Sequence, residues 1–340
     1  MSLTITEFKE QHLEAAARLL AARQVADRCR EPSLSAAFES PEALRPMLEQ
    51  LFQRSKGNGA IALRDGEPVG YIIASPVLPA PTQLIAQFFP PRSMTVPYEG
   101  HATAAAEDAS LYRDLYAFLA ANWVGDGYFE HFVNVPAQDA AAGEAWNSLG
   151  FGRELTCAIR EVDEPVIGVP ASEQSGTEVH RAGVEDIAVI EALTDALWVH
   201  HTGSPILAPF MRDTQESERE LSLELLKEPA NAHFVAYRDG EPLALNSFMK
   251  PGFLPPLLPA EECTYLWQGI VYAHARGAGI GRTLLAHAMD WAKDAGYRWC
   301  VLHFYSANIS GASFWLGNAF RPLEYRLRRH VDERIAWAGH

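Results

Sequence analysis

The feature that most constrains this chain is that it repeats itself. Residues 64–68 read Arg-Asp-Gly-Glu-Pro and residues 238–242 read the same, an offset of 174. The flanks agree: Ala62-Leu63 precedes one copy and Ala236-Tyr237 the other, and Val69 and Leu243 follow. Three later matches share an offset of 169: Trp146–Phe151 (WNSLGF) with Trp315–Phe320 (WLGNAF), 158–164 (AIREVDE) with 327–333 (LRRHVDE), and Gly127-Tyr128 with Gly296-Tyr297. Four matches in one order, with a small insertion or deletion between them, predict two similar halves. Between them, 163–177 is rich in Pro, Gly and Ser (Pro165, Gly168, Pro170, Ser172, Ser175, Gly176), the composition of a linker. The expected organisation is a first domain over 1–163, a linker over 164–177 and a second domain over 178–340. At 340 residues there is chain enough for both.

In the second half, Val179 to Arg181 reads as a short strand and Val184 to Trp198 has helical spacing at Ile187, Ile190, Leu193 and Leu197. Glu216 to Lys227 reads as a second helix, ended by Pro229. The runs 233–237 and 242–248 flank Asp239-Gly240, a strong hairpin signal. A Pro-rich loop (251–259), a strand (264–272), a glycine-rich turn, a helix to about Ala295, a strand (299–305), a short helix (310–317) and a last strand (320–331) complete the order β-α-α-β-β-β-α-β-α-β. The expected class is α/β (α+β) with a mixed sheet. The first half gives a similar order, with helices near 10–25, 41–54 and 111–123, a hairpin at Asp65-Gly66 and a strand over 129–135.

The chemistry concentrates at Arg276 to Arg282, RGAGIGR, directly after a strand and directly before an amphipathic helix. Glycine removes the Cβ, so backbone N–H groups can approach a ligand closely. A helix N-terminus adds unpaired N–H groups and a partial positive charge, and together these make a phosphate cradle. A dinucleotide fingerprint does not fit, because counting from Gly277 the third required glycine is Arg282. A nucleotide P-loop does not fit either, since no Gly-Lys-Ser/Thr follows.

The stretch Gly269 to Phe320 resembles the GNAT superfamily of N-acetyltransferases, whose cofactor motif is Arg/Gln-x-x-Gly-x-Gly/Ala. Arg276, Gly279 and Gly281 fill it. Cys300 to Phe304 looks like that family's fifth strand, Asn308 follows four residues later, and Ala312, Phe314 and Phe320 fall where its short helix and sixth strand begin. The resemblance implies acetyl-CoA as co-substrate and a small-molecule or peptide amine as acceptor. Backbone amides of Gly277, Ala278, Gly279, Ile280, Gly281 and Arg282 would hold the pyrophosphate. Strand backbone at Ile270 and Val271 would bind the pantetheine and polarise the thioester carbonyl, and Asn308 would line the pantetheine arm. The implied reaction is acetyl transfer to a primary amine by direct attack in a ternary complex.

Two departures bear on the proton chemistry. Many relatives carry a tyrosine seven residues after the asparagine, as general acid; here that residue is Trp315, and the following glycine is Ala319. Tyr305 is the candidate acid, or there is none, because a thiol pKa near ~8.5 makes the thiolate a tolerable leaving group. A lysine-like amine at neutral pH costs ~4.6 kcal/mol to deprotonate, so a proton acceptor is needed. Glu262 and His303 are the candidate bases. His200-His201, expected in a loop between two helices, are candidates for an acceptor pocket rather than a zinc site. Trp315 also favours the alternative of a non-catalytic, regulatory CoA-binding protein on the same scaffold.

At the 169 offset, positions 276–281 map to Glu107, Asp108, Ala109, Ser110, Leu111 and Tyr112, with neither glycine nor arginine. Two carboxylates facing a pyrophosphate repel it. Asn308 maps to Asp139. The first half is therefore expected to keep the fold and lack the cofactor site. Tandem halves with one live and one degenerate site resemble the architecture of mycothiol synthase and related two-domain acetyltransferases, with no substrate motif shared.

Composition closes off other classes. The formal net charge is -15, spread over both halves with no basic stripe, so nucleic acid and anionic membrane are poor partners. Acidity is compatible with a cationic amine, although solubility alone accounts for it. Four widely spaced cysteines (Cys29, Cys157, Cys263, Cys300) suggest neither a zinc site nor a disulfide framework, and no metal is expected. Met1 to Glu10 lacks an apolar leader, and no apolar run reaches the ~20 residues of a membrane span. A cytoplasmic protein with reduced thiols is expected. No feature of the sequence specifies an oligomer.

Overall fold

A computed structural model describes residues 2–169, 176–250 and 257–338. Residues 170–175 of the expected linker and 251–256 of the Pro-rich loop lie outside the described residues. The first half runs β1 (Leu3–Glu7), α1 (Leu13–Arg30), α2 (Pro41–Ser55), β2 (Gly59–Arg64), β3 (Glu67–Ile73), β4 (Ser75–Val77), β5 (Ser93–Val96), β6 (His101–Thr103), α3 (Leu111–Gly125), β7 (Glu130–Pro136), α4 (Ala140–Asn147) and β8 (Gly152–Glu161). The second runs β9 (Thr177–Arg181), α5 (Ile187–Thr202), α6 (Gln215–Lys227), β10 (Ala232–Arg238), β11 (Glu241–Met249), β12 (Cys263–Val271), α7 (Ile280–Asp294), β13 (Trp299–Tyr305), α8 (Ile309–Leu316) and β14 (Arg321–His330).

The repeat is a repeat of structure. β1 and β9 are offset by 174 residues at both ends, and α3/α7, β7/β13, α4/α8 and β8/β14 by 169 at both ends. The fall between the offsets places a net excess of about five residues in the first half, between β3 and α3. Both hairpins turn as their Asp-Gly pairs require, with Asp65 and Gly66 at φ 50° and 91° and Asp239 and Gly240 at φ 53° and 79°.

The halves are interleaved. One ten-stranded sheet has the order β4-β5-β7-β14-β8-β13-β12-β11-β10-β9, so the last strand of each half lies beside the other half's penultimate strand. β8 pairs antiparallel with β13 over Trp299–Tyr305, and β14 pairs antiparallel with β7 over Glu324–His330. β8 and β14 pair with each other in the middle, where Thr156 faces Tyr325. These two residues are 169 apart, so a pseudo-two-fold axis passes through their pair. The exchange also threads the core. Leu44, Leu48 and Leu51 of α2 and Leu20 of α1 share one buried cluster with Tyr265, Trp299, Val301 and Leu323 of the second half. Polar contacts cross as well: Arg321 forms a fork on the buried Glu31 carboxylate (2.9 and 2.7 Å), and Arg160 donates to the Asn318 carbonyl at 2.9 Å.

One strand departs from the simple repeat. β12 is continuous, whereas its counterpart in the first half is broken by a 3-10 turn at Tyr98–Gly100 into β5, which pairs with β7, and β6, which pairs with β3. No described helix is long and apolar enough to cross a membrane.

Candidate active site

β12 and β13 run parallel and stay paired from Cys263↔Trp299 to Leu266↔Leu302. Beyond that, β12 continues along β11 to Val271, while 303–305 of β13 continue along β8. The two strands part into a wedge, and a cavity of about 420 Å³ occupies it, reaching from Phe88, Trp198 and Trp267 at one end to Arg276–Arg282, Asn308 and Phe314 at the other.

The glycine loop forms one wall. Gly277 and Gly279 take φ of 82° and 81°, the left-handed region where a Cβ is unfavourable. A Cβ on Gly277 would meet no protein atom within 4 Å, so there the demand is set by the backbone and by open space. Gly281 differs: its Cβ would come within 3.3 Å of the Phe314 ring and Val271 Cγ2. Gly279 caps α7, and its carbonyl already accepts from the amides of Arg282 (3.0 Å) and Thr283 (3.1 Å). The amides of Gly277, Ala278, Gly279, Ile280 and Gly281 make no hydrogen bond to the described residues. Five unpaired donors at a helix N-terminus fit an anion such as a pyrophosphate. Arg282, grouped with them on the sequence, has its amide engaged. Arg276 turns back, its Nε donating to the Val271 carbonyl at 3.0 Å.

Asn308 does structural work at the same wall. Its Oδ1 caps α8 by accepting from the Gly311 amide at 3.0 Å and the Ser310 hydroxyl at 3.1 Å. His200 reaches this asparagine, and burial together with the charge of Arg276 lowers its pKa. Contrary to expectation, His200 and His201 are not in a loop. They form the last turn of α5, because the helical pattern carries through to Thr202. His201 is packed edge-on to Tyr305 (ring centroids 5.0 Å) and pushed down to about 4 by burial and then by His200.

The sequence-derived proton carriers separate. Glu262 is half-buried in a 3-10 turn before β12, 3.8 Å from Arg298, and does not line the cavity. The four residues of β12 still paired with β13, Cys263–Leu266, stand between it and the point where the wedge opens. His303 lines the cavity, but its Nδ1 is hydrogen-bonded to the Tyr265 hydroxyl at 2.8 Å, and burial, with Arg326 adding to it, pushes it down to about 3. The ring is neutral at pH 7 and a weak base. Tyr305 lines the cavity too; burial holds it up at about 12, and its hydroxyl makes no hydrogen bond to the described residues. Trp315 packs its indole against Gly269.

Several lining residues carried no sequence signal. Trp198 and Trp267 face Phe88 across the wedge, with ring centroids 6.0 and 6.1 Å away. Behind Trp198 the buried Glu218 accepts its Nε1–H with both oxygens (2.7 and 2.8 Å), and burial raises this carboxyl to about 7. Phe88 lies in the stretch where the repeat offset falls from 174 to 169, so the unequal spacing is the mark that points to it.

The corresponding wedge of the first half is filled by the protein. Arg23 of α1 donates Nη1 to the His101 carbonyl and Nη2 to the Tyr98 carbonyl (2.8 Å), across the break between β5 and β6. Asp27 lies 3.3 Å from its Nε. His101, pushed down to about 3 by burial and then by Arg23, is neutral, and its Nε2 hydrogen-bonds the Asn134 carbonyl of β7 at 2.8 Å. Where the glycine loop would be, Glu107 is forked by Arg64 (2.6 and 2.5 Å), and Asp108 accepts from the Ser110 amide at 2.8 Å. Among the described residues no group of three or more His, Cys, Asp or Glu side chains is placed to hold a metal ion. All four cysteines are free, with Cys29 exposed and the others buried.

Comparison with known proteins agrees with this architecture. Residues 190–317 match the model of the acetyltransferase (GNAT) family. No curated protein sequence matches the chain. Among solved structures it is similar to a GCN5-related N-acetyltransferase from Sphaerobacter thermophilus (14% identity, TM-score 0.59, 96% of this chain and 95% of that one). It is also similar to a tandem GNAT protein from the clavulanic acid biosynthesis pathway (14%, TM-score 0.51, 98% and 99%). A third is a glucosamine N-acetyltransferase region of a fungal multi-domain β-N-acetylglucosaminidase (13%, TM-score 0.55, 96% of this chain and 38% of that one). At these identities the likeness is one of fold. The second half of this chain thus carries the match to the acetyltransferase (GNAT) family model, and the chain as a whole has the fold of a tandem GNAT protein.

Proposed function

We propose that the chain is an acetyl-CoA-dependent N-acetyltransferase that binds one acetyl-CoA per polypeptide, in its second half, and acetylates a primary amine directly in a ternary complex. The observation that carries this reading is the row of five unpaired amides, Gly277 to Gly281, opening into the same wedge as the unpaired edge of β12. Bound acetyl-CoA supplies an activated acyl group as a thioester. The amides and the α7 dipole attract its pyrophosphate. The β12 edge at Ile270 and Val271 offers backbone groups to the pantetheine and to oxyanion charge developing at the carbonyl, commonly the largest catalytic term. Tyr305, protonated at neutral pH, serves as donor toward the departing sulfur. The amine proton goes to water in the open wedge, since His303 is too weak a base to keep it.

The reading is tested by calorimetry with acetyl-CoA. One site per chain is expected, and replacing Gly279 by Val should abolish it by combining strain at φ 81° with bulk at the amides. No binding, or two sites, refutes the reading. A regulatory CoA-binding protein is the second reading, favoured by Trp315 in place of a hydroxyl. Release of CoA at ordinary rates with any amine rejects it.

A further inference from the structure

Taking that N-acetyltransferase reading as given, we infer that the acceptor is a monoamine on a single flat aromatic body, held in a slot whose outer wall is the first half's Phe88. The amide-bearing end of the cavity is committed to the anionic co-substrate. The acceptor therefore takes the other end, which is walled by Phe88, Trp198, Trp267, Tyr265, His201 and Tyr305. Phe88 meets Trp198 at 61° and Trp267 at 64°, so the wall is built of ring edges as well as faces, the lining against which an aromatic ring packs best.

Charge argues in the same direction. Although the chain carries a net charge of -15, no aspartate or glutamate among the described residues lines this cavity. Two carboxylates behind its walls are occupied: Glu218, beside the lining Trp198, by that residue's indole, and Glu154 by Arg326 and Arg328. The charged residues that do line the cavity are Arg276 and Arg282. A polyamine or aminosugar with several ammonium groups would lose its hydration here and find no counter-charge. An aromatic monoamine places its ring on the wall and exposes one nitrogen.

Phe88 is built in, not merely near. Gln87 beside it donates to Thr214 Oγ1 (3.1 Å) and accepts from the Met211 amide (3.0 Å). Arg326 donates to the Phe88 carbonyl at 3.3 Å, and Ser217 donates to the Thr82 carbonyl at 2.9 Å. The five-residue excess of the first half thus closes the acceptor end of the second half's site.

The experiment measures CoA release with 2-phenylethylamine and tryptamine against spermidine, kanamycin and a lysine-containing peptide, alongside acetyl-CoA calorimetry. The aromatic monoamines should exceed the polycations and the peptide in kcat/KM by about 100-fold or more, since ring burial sets the difference. Phe88→Ala should raise KM for tryptamine by about tenfold with kcat and acetyl-CoA affinity little changed, and Phe88→Trp should restore it. Equal or better use of spermidine, kanamycin or the peptide overturns the inference, as does an unchanged KM in Phe88→Ala or failure to acetylate either aromatic amine. In those cases acetyl-CoA binding persists; its absence would instead bring down the parent reading and this inference together.

Discussion

Gly269 and Trp315 form one packed unit: a Cβ on Gly269 would lie 2.9 Å from both Cη2 and Cζ2 of the Trp315 indole. The glycine of β12 makes room for the tryptophan of α8, which is 9% exposed and joins the core cluster beneath α7. Gly269→Ala must displace the indole, and we expect a loss of about 1–3 kcal/mol from overpacking with weaker acetyl-CoA binding. Trp315→Ala should lose about 3–5 kcal/mol by leaving a cavity. Denaturant titration and calorimetry measure both; a Gly269→Ala protein of unchanged stability would show that the contact is not tight.

Arg23 is a buried cation whose partners are Asp27 and the backbone carbonyls of Tyr98 and His101. Removing it takes away the buried cation beside Asp27, leaving that carboxylate the Tyr98 hydroxyl at 3.3 Å and the more exposed Arg30 at 3.6 Å, and Arg23→Ala should lose about 3 kcal/mol of stability. Acetyl-CoA stoichiometry should stay at one, because Glu107 and Asp108 still occupy the loop position. A second binding event in this variant would show that Arg23 alone closes the first half.

Glu324 is buried on β14, hydrogen-bonded by Asn134 at 2.7 Å, and burial raises it from 4.5 to about 8. The fold keeps a proton that the unfolded chain has lost, so this group makes stability fall as pH rises from about 4.5 to 8. Glu218, raised to about 7, acts in the same sense. His101 and His303, lowered to about 3, act oppositely: they make stability rise with pH up to the ordinary histidine value of 6.5, and add no slope above it. Between pH 6.5 and 8 Glu324 should contribute a decline of up to about 1.4 kcal/mol per pH unit. Glu324→Gln should be the more stable protein at pH 8, with the gap narrowing toward pH 6.5. Parallel thermal midpoints over this range would refute the assignment.

Because β8 completes the sheet beside β13 and β14 completes it beside β7, neither half closes alone. Residues 176–340 expressed alone should aggregate or stay unfolded, with an uncovered β13 edge as the cause. Co-expression with residues 1–169 should restore soluble protein and co-purification. A stable, monomeric second half would show that the exchange is dispensable.

Much of the fold was legible. The repeat gave two similar halves, the Asp-Gly pairs gave both hairpins, and the 3.6-residue spacing gave the long helices. The glycine loop was found because its demands are local: two left-handed φ values and a helix start leave a mark in seven residues. The strand exchange left none, since β8 and β14 have the same pattern whichever neighbour they pair with. The wall at Phe88, Trp198 and Trp267 joins residues over 100 positions apart, beyond the reach of spacing. Glu262 looked suitable by its place before a strand, but only the wedge geometry shows that the strands stay paired to Leu266 and open beyond it. Ala319 was noticed as a missing glycine; the structure places it at φ 66°, where Gly150 of the first half stands at 84°, so the turn kept its shape when the residue type differed.

The pseudo-two-fold axis through Thr156 and Tyr325 has one more consequence. A symmetric pair made from two separate copies of one chain must accept every substitution twice, so neither member can give up a ligand slot while the other keeps it. Writing both members into a single polypeptide lifts that rule. Arg23 can then seal one wedge, and a few extra residues can carry Phe88 across to furnish the other, each change made once and on one side only.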